Sequence, residues 1–588
     1  MTSEPLDWTD HGPRSARFGD VYFSAVDGLA ESRAVFLAGC GLPERWTDRS
    51  DFTVAELGFG TGLNILALLD LWRREGPPDG RLHIFSVEAF PIERADAARA
   101  LGAWPELADL AGVLLGQWPD GRRGFCRIDF PEARATLDLA VADAFDTLSG
   151  WTGAADAWFL DGFAPARNPQ MWREDLLAQV AAHTAPGGRA ATFTVAGAVR
   201  RGLQAAGFAV EKKPGFGRKR ERLEATLPGS APHRARPRKV AVVGAGIAGA
   251  ATVRALTRLG IEVVVVDPAG PGGGASGGPG VMVTPRLDAG LGPVARLHAQ
   301  AFHRAAELYR RETPDAVLAE GVVQLERDPR DAGRFARIAA WEGYAPGALQ
   351  PLDPAATAAA LGEAERSGAL SMRDALVVHP APILDRWLSP AEVVRAEVDA
   401  VSPGGPGWRL VRADGGLIAD VEAVVVATGP AAARLLGLPL RPVRGQLSVS
   451  PRPFEGRAAA WGGYAAPLAG GLLFGATHDR DDEGAEVRAA DHKRNLELLA
   501  RGRPRLAAAL QDEALEGWAG VRAASPDHLP LAGPAPSRPG LYVLAGLGGR
   551  GFTLAPTLGE QIAAAIAGAP QPLPHDLAAL TAVERFGV

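Results

Sequence analysis

Before Lys212, short apolar runs alternate with segments whose apolar positions recur at helical spacing. Phe52–Leu57, Leu82–Val87, Leu139–Val141, Ala157–Leu160 and Ala190–Val195 are near-continuous apolar stretches, which predicts strands buried on both faces of a parallel sheet. Helices are expected between them, for example over Leu63–Arg74 and Met171–His183. After Lys239 the pattern restarts as strand, glycine loop, helix and strand. Two α/β units follow from this: residues 1–226, a linker over 227–238, and residues 239–588.

Composition narrows the class. The 588 residues have a formal charge of −6, so any nucleic-acid partner must meet a local patch against a repulsive overall field. Cys40 and Cys126 are the only cysteines, too few for a disulfide framework or a thiolate metal site, and no metal is expected. Glu4, Asp7 and Asp10 interrupt the start of the chain, so no signal peptide is expected. No apolar run reaches membrane-spanning length, and the reading is a cytoplasmic, monomeric protein without membrane contact. The sharpest local shift is Lys212–Lys239, with ten basic and two acidic residues. It reads equally well as a solvated boundary and as a phosphate-contacting seam.

The first chemical signal is V-A-E-L-G-F-G-T-G-L-N at 54–64. A strand carrying Glu56 runs into Gly58, Gly60 and Gly62, where a Cβ would hold a ligand off the backbone. Alone this turn says little. Glu88 closes the next strand, placed to accept ribose hydroxyls, and Asp143 follows the third, placed for an adenine amino group. All would share the carboxyl edge of one parallel sheet. No lysine follows the glycines, so a triphosphate loop is excluded, and an S-adenosylmethionine pocket fits the acids better. Asp161, in D-A-W-F-L-D-G-F, ends an apolar strand and is the candidate to orient an amine toward a methyl sulfonium.

The second signal is stronger. Gly244, Gly246 and Gly249 form G-x-G-x-x-G directly after a strand, and Asp267 ends the following strand. The spacing seats a pyrophosphate on a helix N-terminus and a ribose on Asp267. The glycine-rich loop containing Ser276, the A-T-G of Thr428 and Gly429, and the turn holding Gly548, Gly549 and Gly551 extend the expected contact beyond an NAD domain to FAD. Arg444, Arg522 and Arg550 sit in glycine-rich, otherwise apolar contexts. An oxidase acting on an amino acid must clamp a carboxylate, and Arg522 and Arg550 are the preferred candidates.

Longer strings carry a resemblance over nearly the whole chain: E-L-G-F-G-T-G-L-N, D-A-W-F-L-D-G-F-A-P-A-R-N-P, G-F-G-R-K-R-E, V-V-G-A-G-I-A-G-A, P-V-R-G-Q, G-A-T-H-D-R-D-D and G-L-G-G-R-G-F-T-L-A-P, in that order. The sequence resembles the bifunctional bacterial tRNA 5-methylaminomethyl-2-thiouridine biosynthesis family. That resemblance implies an N-terminal Rossmann-like, S-adenosylmethionine-dependent methyltransferase domain. It implies a C-terminal FAD-binding Rossmann domain with a mixed α+β substrate subdomain, similar to glycine oxidase and D-amino-acid oxidase. The FAD half would remove the carboxymethyl group from 5-carboxymethylaminomethyl-uridine at a tRNA wobble position. The N-terminal half would then methylate the released amine, so the partner is the tRNA anticodon stem-loop and not DNA. Gly549 departs from the family, which often has serine there. Two rivals remain at this point: an oxidase–methyltransferase fusion acting on free small amines, and a tRNA-binding scaffold with an inert flavin domain.

Overall fold

The apolar runs of the first half become the centre of a parallel sheet. In this computed structural model, which describes residues 4–10, 12–24, 27–119, 121–217, 219–230, 235–363, 367–405 and 407–587, eight strands form that sheet. They are β1 (Asp51–Leu57), β2 (Arg81–Glu88), β3 (Gly124–Phe130), β4 (Ala135–Val141), β5 (Ala155–Leu160), β6 (Thr184–Thr192), β7 (Ala209–Pro214) and β8 (Glu221–Thr226). The order across the sheet is β3-β4-β2-β1-β5-β6-β8-β7. The inner five strands run parallel, and β3, β8 and β7 are antiparallel edges. Successive side chains feed opposite faces. Phe52 and Val54 enter one core cluster, and Ala55 and Leu57 enter another. This is why the strand reads as unbroken hydrophobicity. Helix α1 (Leu63–Glu75) follows β1.

Register sets the position of the chemistry. Leu57 lies opposite Val87 on one side and Leu160 on the other. The residues that follow, Gly58, Glu88 and Asp161, therefore leave the sheet at one carboxyl edge, as open α/β sheets require for a ligand crevice.

The last parallel strand differs from expectation. It spans Thr184–Thr192 rather than Ala190–Val195. Its first half, T-A-P-G-G, is too polar and too rich in turn formers to read as a strand. It forms because Ala155 and Ala157 on β5 offer an unpaired parallel edge. The expected helix over Met171–His183 is a 3₁₀ turn at Pro169–Trp172 followed by a helix at Glu174–Ala182.

The second unit covers 236–567 with 576–588, and the first covers 1–235 with 568–575. Residues 231–234 of the expected linker lie outside the described residues. The second unit's nucleotide sheet comprises β9 (Lys239–Val243), β10 (Glu262–Val266), β11 (Glu392–Val394), β12 (Ala423–Val426), β13 (Leu531–Pro534) and β14 (Leu541–Ala545). Its order is β11-β10-β9-β12-β14-β13. All pairs are parallel except β13 with β14. A second, mainly antiparallel sheet includes Arg441–Ser450 paired along its length with Glu516–Ala524.

Three helices anchor this unit: α2 (Ile247–Arg258), α3 (Pro293–Glu312) and α4 (Gly551–Ala567). Gly559 lets α4 approach α2 closely, since a Cβ there would lie 2.8 Å from the Ala251 carbonyl carbon. The buried Glu560 carboxylate accepts from both Arg254 (2.8 Å) and Arg304 (2.6 Å), so all three helices share one ionic junction. Removing one member of such a junction strands a buried charge, a loss of roughly 3–5 kcal/mol. Among the described residues, no helix is long and apolar enough to cross a membrane.

Candidate functional sites in two nucleotide-shaped clefts

In the first unit the glycine turn is a conformational requirement. Gly58, Gly60 and Gly62 have φ of +84°, +52° and +81°, a region side chains strain to enter. A Cβ on Gly58 would also stand 3.1 Å from the Gly162 backbone. The turn is laced to the neighbouring strand. The Gly58 amide donates to the Val87 carbonyl (3.0 Å), and the Gly60 amide donates to Glu88 Oε2 (3.0 Å). Glu88 Oε1 accepts from the Phe90 amide (2.9 Å), while burial pushes this carboxyl upward. Asp143 caps the next short helix, its Oδ1 accepting from the amides of Phe145 (2.9 Å) and Asp146 (3.1 Å). Gly58, Glu88 and Asp143 line one cleft of about 650 Å³, together with Phe18 and Phe163. Gly60 and Gly62 shape the turn without lining it.

Asp161 is half-buried just before the cleft residues Gly162 and Phe163. Its Oδ1 accepts from the Gly162 amide (2.8 Å) and its Oδ2 from Asn64 Nδ2 (2.7 Å). Burial pushes its carboxyl up to about 7, against the lowering effect of both donors. It is therefore poised to change protonation near neutrality.

Glu56 departs from expectation. It is fully buried away from the cleft, with Oε1 accepting from Asn64 (3.1 Å) and Oε2 from the Ser86 hydroxyl (2.6 Å). Its β1 position points it beneath the turn, where it holds Asn64. Asn64 in turn holds Asp161, and the Ser32 hydroxyl fixes the Asn64 carbonyl (2.5 Å). The sequence reading missed Asn64 as a functional residue, although it stands in the quoted glycine string. It also missed an aromatic group: Phe163 packs on Phe18 at 4.9 Å and edge-on against Tyr22 at 5.2 Å. Phe18 and Tyr22 lie far upstream of the sheet, with no local pattern to mark them.

The basic run is largely paired. Lys212 meets Glu221, Lys213 meets Glu211, Arg222 meets Glu224, and Lys219 meets Glu31. Arg218 lies outside the described residues.

The second unit repeats the strand–turn–helix arrangement with tighter contacts. A Cβ on Gly244 would meet the Ala427 carbonyl oxygen at 2.4 Å, and one on Gly249 would meet the Gly244 oxygen at 1.9 Å. Only glycine brings β9, β12 and α2 this close. Asp267 Oδ2 accepts from the Ala245 amide (2.8 Å), and its Oδ1 accepts from the amides of Ala269 (2.9 Å) and Gly270 (2.7 Å). The Ser276 hydroxyl accepts from the Ile247 amide (3.0 Å) at the start of α2.

Gly244, Asp267 and Ser276 line an open cleft of about 1720 Å³, which Gly246, Gly429, Gly548, Gly549 and Gly551 also line, while Gly249 shapes the turn outside that lining. The residues fit a flavin dinucleotide. The Thr428 hydroxyl is buried in this lining with no partner among the described residues, and added side chains at Gly429, Gly548 and Gly549 would meet only open space.

The three arginines part company. Arg522 lines the same cleft beside Tyr464, and no carboxylate among the described residues pairs with it. Arg550 lies outside that lining and donates through Nη1 to the carbonyls of Thr284 (3.2 Å) and Pro285 (3.3 Å). Arg444 is a structural ion pair, contrary to the candidate role. It is fully buried and bound to Asp491 (2.6 Å), Gln446 (2.9 Å) and the Glu486 carbonyl (2.6 Å), which leaves it unable to reach a substrate.

Comparison with known proteins finds a family match in each of the two units. Residues 239–565 match the family described as FAD dependent oxidoreductase, and residues 105–228 match S-adenosyl-L-methionine-dependent methyltransferase. The chain is 57% identical to a tRNA 5-methylaminomethyl-2-thiouridine biosynthesis bifunctional protein MnmC of Caulobacter sp. (strain K31), covering 100% of this chain and 98% of that one. It is 45% identical to the protein of that name from Maricaulis maris (strain MCS10), over 96% and 92% of the two chains. The L-proline dehydrogenase structure from P. horikoshii superposes with a TM-score of 0.52 at 19% identity, covering 60% of this chain and 99% of that one, a likeness of fold alone.

Proposed function

Because this chain belongs to the family of tRNA 5-methylaminomethyl-2-thiouridine biosynthesis bifunctional proteins, we propose that its two clefts act in succession on one wobble uridine of a tRNA. It is a bifunctional tRNA-modification enzyme, a methyltransferase joined to an FAD-dependent oxidoreductase. We assign residues 1–226 to the methyltransferase, 227–238 to a linker and 239–588 to the oxidoreductase. The setting is cytoplasmic and the substrate element is the anticodon stem-loop.

In the oxidoreductase cleft, Gly244, Gly246 and Gly249 would hold the FAD pyrophosphate at the start of α2, with Asp267 at the ribose and Thr428 donating from the cleft wall. Bound FAD supplies a two-electron acceptor. Arg522 grips the carboxylate of the carboxymethylaminomethyl group and so orients the adjacent CH₂–NH bond. Two-electron oxidation of that CH₂–NH bond would give an imine, and its hydrolysis by water would release the two carbons as an aldehyde acid and leave the aminomethyl form.

In the methyltransferase cleft, Glu88 and Asp143 hold S-adenosylmethionine, and Asp161 receives the new amine. The amine must present a lone pair, and a carboxylate accepting its N–H orients that pair and takes up the proton. Asn64 keeps the Asp161 oxygens aimed. The product is the methylaminomethyl form.

The observation that carries this reading is the Arg522 guanidinium in the same cleft as the Thr428 hydroxyl, both without a partner among the described residues. The test is incubation of purified, flavin-loaded enzyme with tRNA from cells lacking it. Aminomethyl-uridine should accumulate without S-adenosylmethionine and methylaminomethyl-uridine should appear with it. An unchanged carboxymethylaminomethyl nucleoside would contradict the proposal.

A further inference from the structure

The first unit carries two cations at the lip of its cleft that the proposed chemistry leaves unused. Residues 12–24 fold over the loop that follows Asp161. The Ala164 amide donates to Asp20 Oδ2 (2.9 Å), and Phe18 packs on Phe163 at 4.9 Å. Next to Phe18, Gly19 turns at φ +63°, and two exposed arginines from distant parts of the sequence close on it. A Cβ on Gly19 would lie 3.1 Å from Arg167 Nη1 and 3.5 Å from Arg14 Nη2, and Arg14 Nη2 donates to the Gly19 carbonyl (2.9 Å). The two guanidiniums are therefore neighbours over one glycine. Phe18 and Asn168, the chain neighbours of Gly19 and Arg167, both line the cleft, which puts the pair at its rim.

No carboxylate among the described residues pairs with either arginine. The nearby acids are engaged otherwise. Asp20 accepts from the amides of Val21 (3.0 Å) and Ala164, and Glu4 takes Arg17 (3.0 Å). Asp7 stands opposite Arg14 in the hairpin register, but the Arg14 guanidinium turns to the Gly19 carbonyl instead. By contrast, Lys212, Lys213 and Arg222 each meet a glutamate. Two cations side by side repel, and an anion shared between them replaces that repulsion with two attractions. The same rim offers the rings of Phe18 and Phe163. Guanidiniums for the backbone beside aromatic faces for the bases are what unpaired RNA requires.

We propose that Arg14 and Arg167 form a phosphate clamp at the rim of the methyltransferase cleft, which holds the tRNA backbone beside the wobble nucleotide while its base enters along Phe18 and Phe163. This rests on the reading of the chain as a tRNA-modifying enzyme. Forked guanidinium donors suit phosphate oxygens, and such contacts fix position without reading sequence. Once the carboxymethyl group is gone, the anions left on the substrate are its phosphodiesters. S-adenosylmethionine brings a carboxylate of its own, so the test separates the two anions.

Full-length, flavin-loaded enzyme is assayed for methylation of an anticodon stem-loop bearing aminomethyl-uridine. The double variant Arg14→Gln/Arg167→Gln should raise KM for the stem-loop about tenfold and flatten its salt dependence by about two phosphate contacts. Both kcat and KM for S-adenosylmethionine should stay within about twofold, the signature of lost ground-state binding. Lysine at both positions keeps the charges without the fork and should restore most of the salt dependence. A raised KM for S-adenosylmethionine with an unmoved stem-loop KM would assign the pair to the methionine carboxylate and overturn the clamp. Unchanged stem-loop KM and salt dependence would overturn it too. An equal rise in KM for demodification of a carboxymethylaminomethyl stem-loop would make the pair a general RNA-docking patch and overturn its place at this cleft. Wild-type enzyme that leaves the aminomethyl stem-loop unmethylated would overturn the tRNA reading itself, and the clamp with it.

Discussion

The two clefts are built on the same strand, glycine turn, helix and acid-ended strand, yet they differ in what their side chains leave free. In the first, Glu88 and Asp143 line the wall while each accepts two backbone amides, and the acid beside them, Asp161, is tuned toward neutrality. In the second, the acid Asp267 accepts three backbone amides, and the conspicuous free group is the Arg522 guanidinium. A nucleoside carrying a sulfonium and an incoming amine calls for the first pattern. A pyrophosphate and a carboxylate-bearing substrate call for the second. A shared topology thus leaves function to the groups at the strand ends.

The contrast breaks most completely at Gly249. Gly249→Ala places a methyl group against the Gly244 carbonyl oxygen, and purified protein should lose bound FAD and all demodification. Methylation of pre-formed aminomethyl-uridine should persist, measured by nucleoside analysis. Retention of yellow colour would refute the tight-turn account. Asp161→Ala is the mirror image, expected to slow methylation by roughly 10²–10⁴-fold while aminomethyl-uridine accumulates. Arg522→Ala should raise KM for the carboxymethyl substrate by roughly 10–100-fold with FAD still bound, consistent with loss of a charge-assisted contact of about 1.5–3 kcal/mol. Loss of FAD instead would assign Arg522 to the cofactor.

The smallest effects sharpen the picture. Methyl transfer needs Asp161 ionised, and its carboxyl is held at about 7, so the single-turnover methylation rate should rise with pH through neutrality and then level off. Asn64 donates to the charged form. Asn64→Ala should therefore move that midpoint upward and slow methylation at neutral pH several-fold, while an unmoved midpoint would leave Asn64 without its positioning role.

Much of this was legible before the fold was known, and the reasons are local. Strands β1 and β2 are continuous apolar runs because both faces are buried, and the residues ending them, Gly58 and Glu88, inherit the sheet edge by register. The dinucleotide turn was equally plain, since its glycines are dictated by backbone contacts within a few residues. What escaped was non-local. Arg444 looks identical in sequence to a substrate clamp, and only its pairing with Asp491 on a distant helix removes it from the cleft. Glu56 lies inside a strand buried on both faces, and its carboxylate is spent on Asn64 and Ser86, which a glycine-loop motif does not report. Phe18 reaches the first cleft, and Tyr22 packs on its lining residue Phe163, from a segment with no periodicity.

The central claim is that one nitrogen atom passes through both chemistries. It is tested most directly with tRNA whose wobble carboxymethylaminomethyl group carries ¹⁵N, converted by the whole enzyme with S-adenosylmethionine present. The account predicts methylaminomethyl-uridine with the label fully retained. Appearance of ¹⁵N in a released small amine, with unlabelled or absent product on the tRNA, would contradict it.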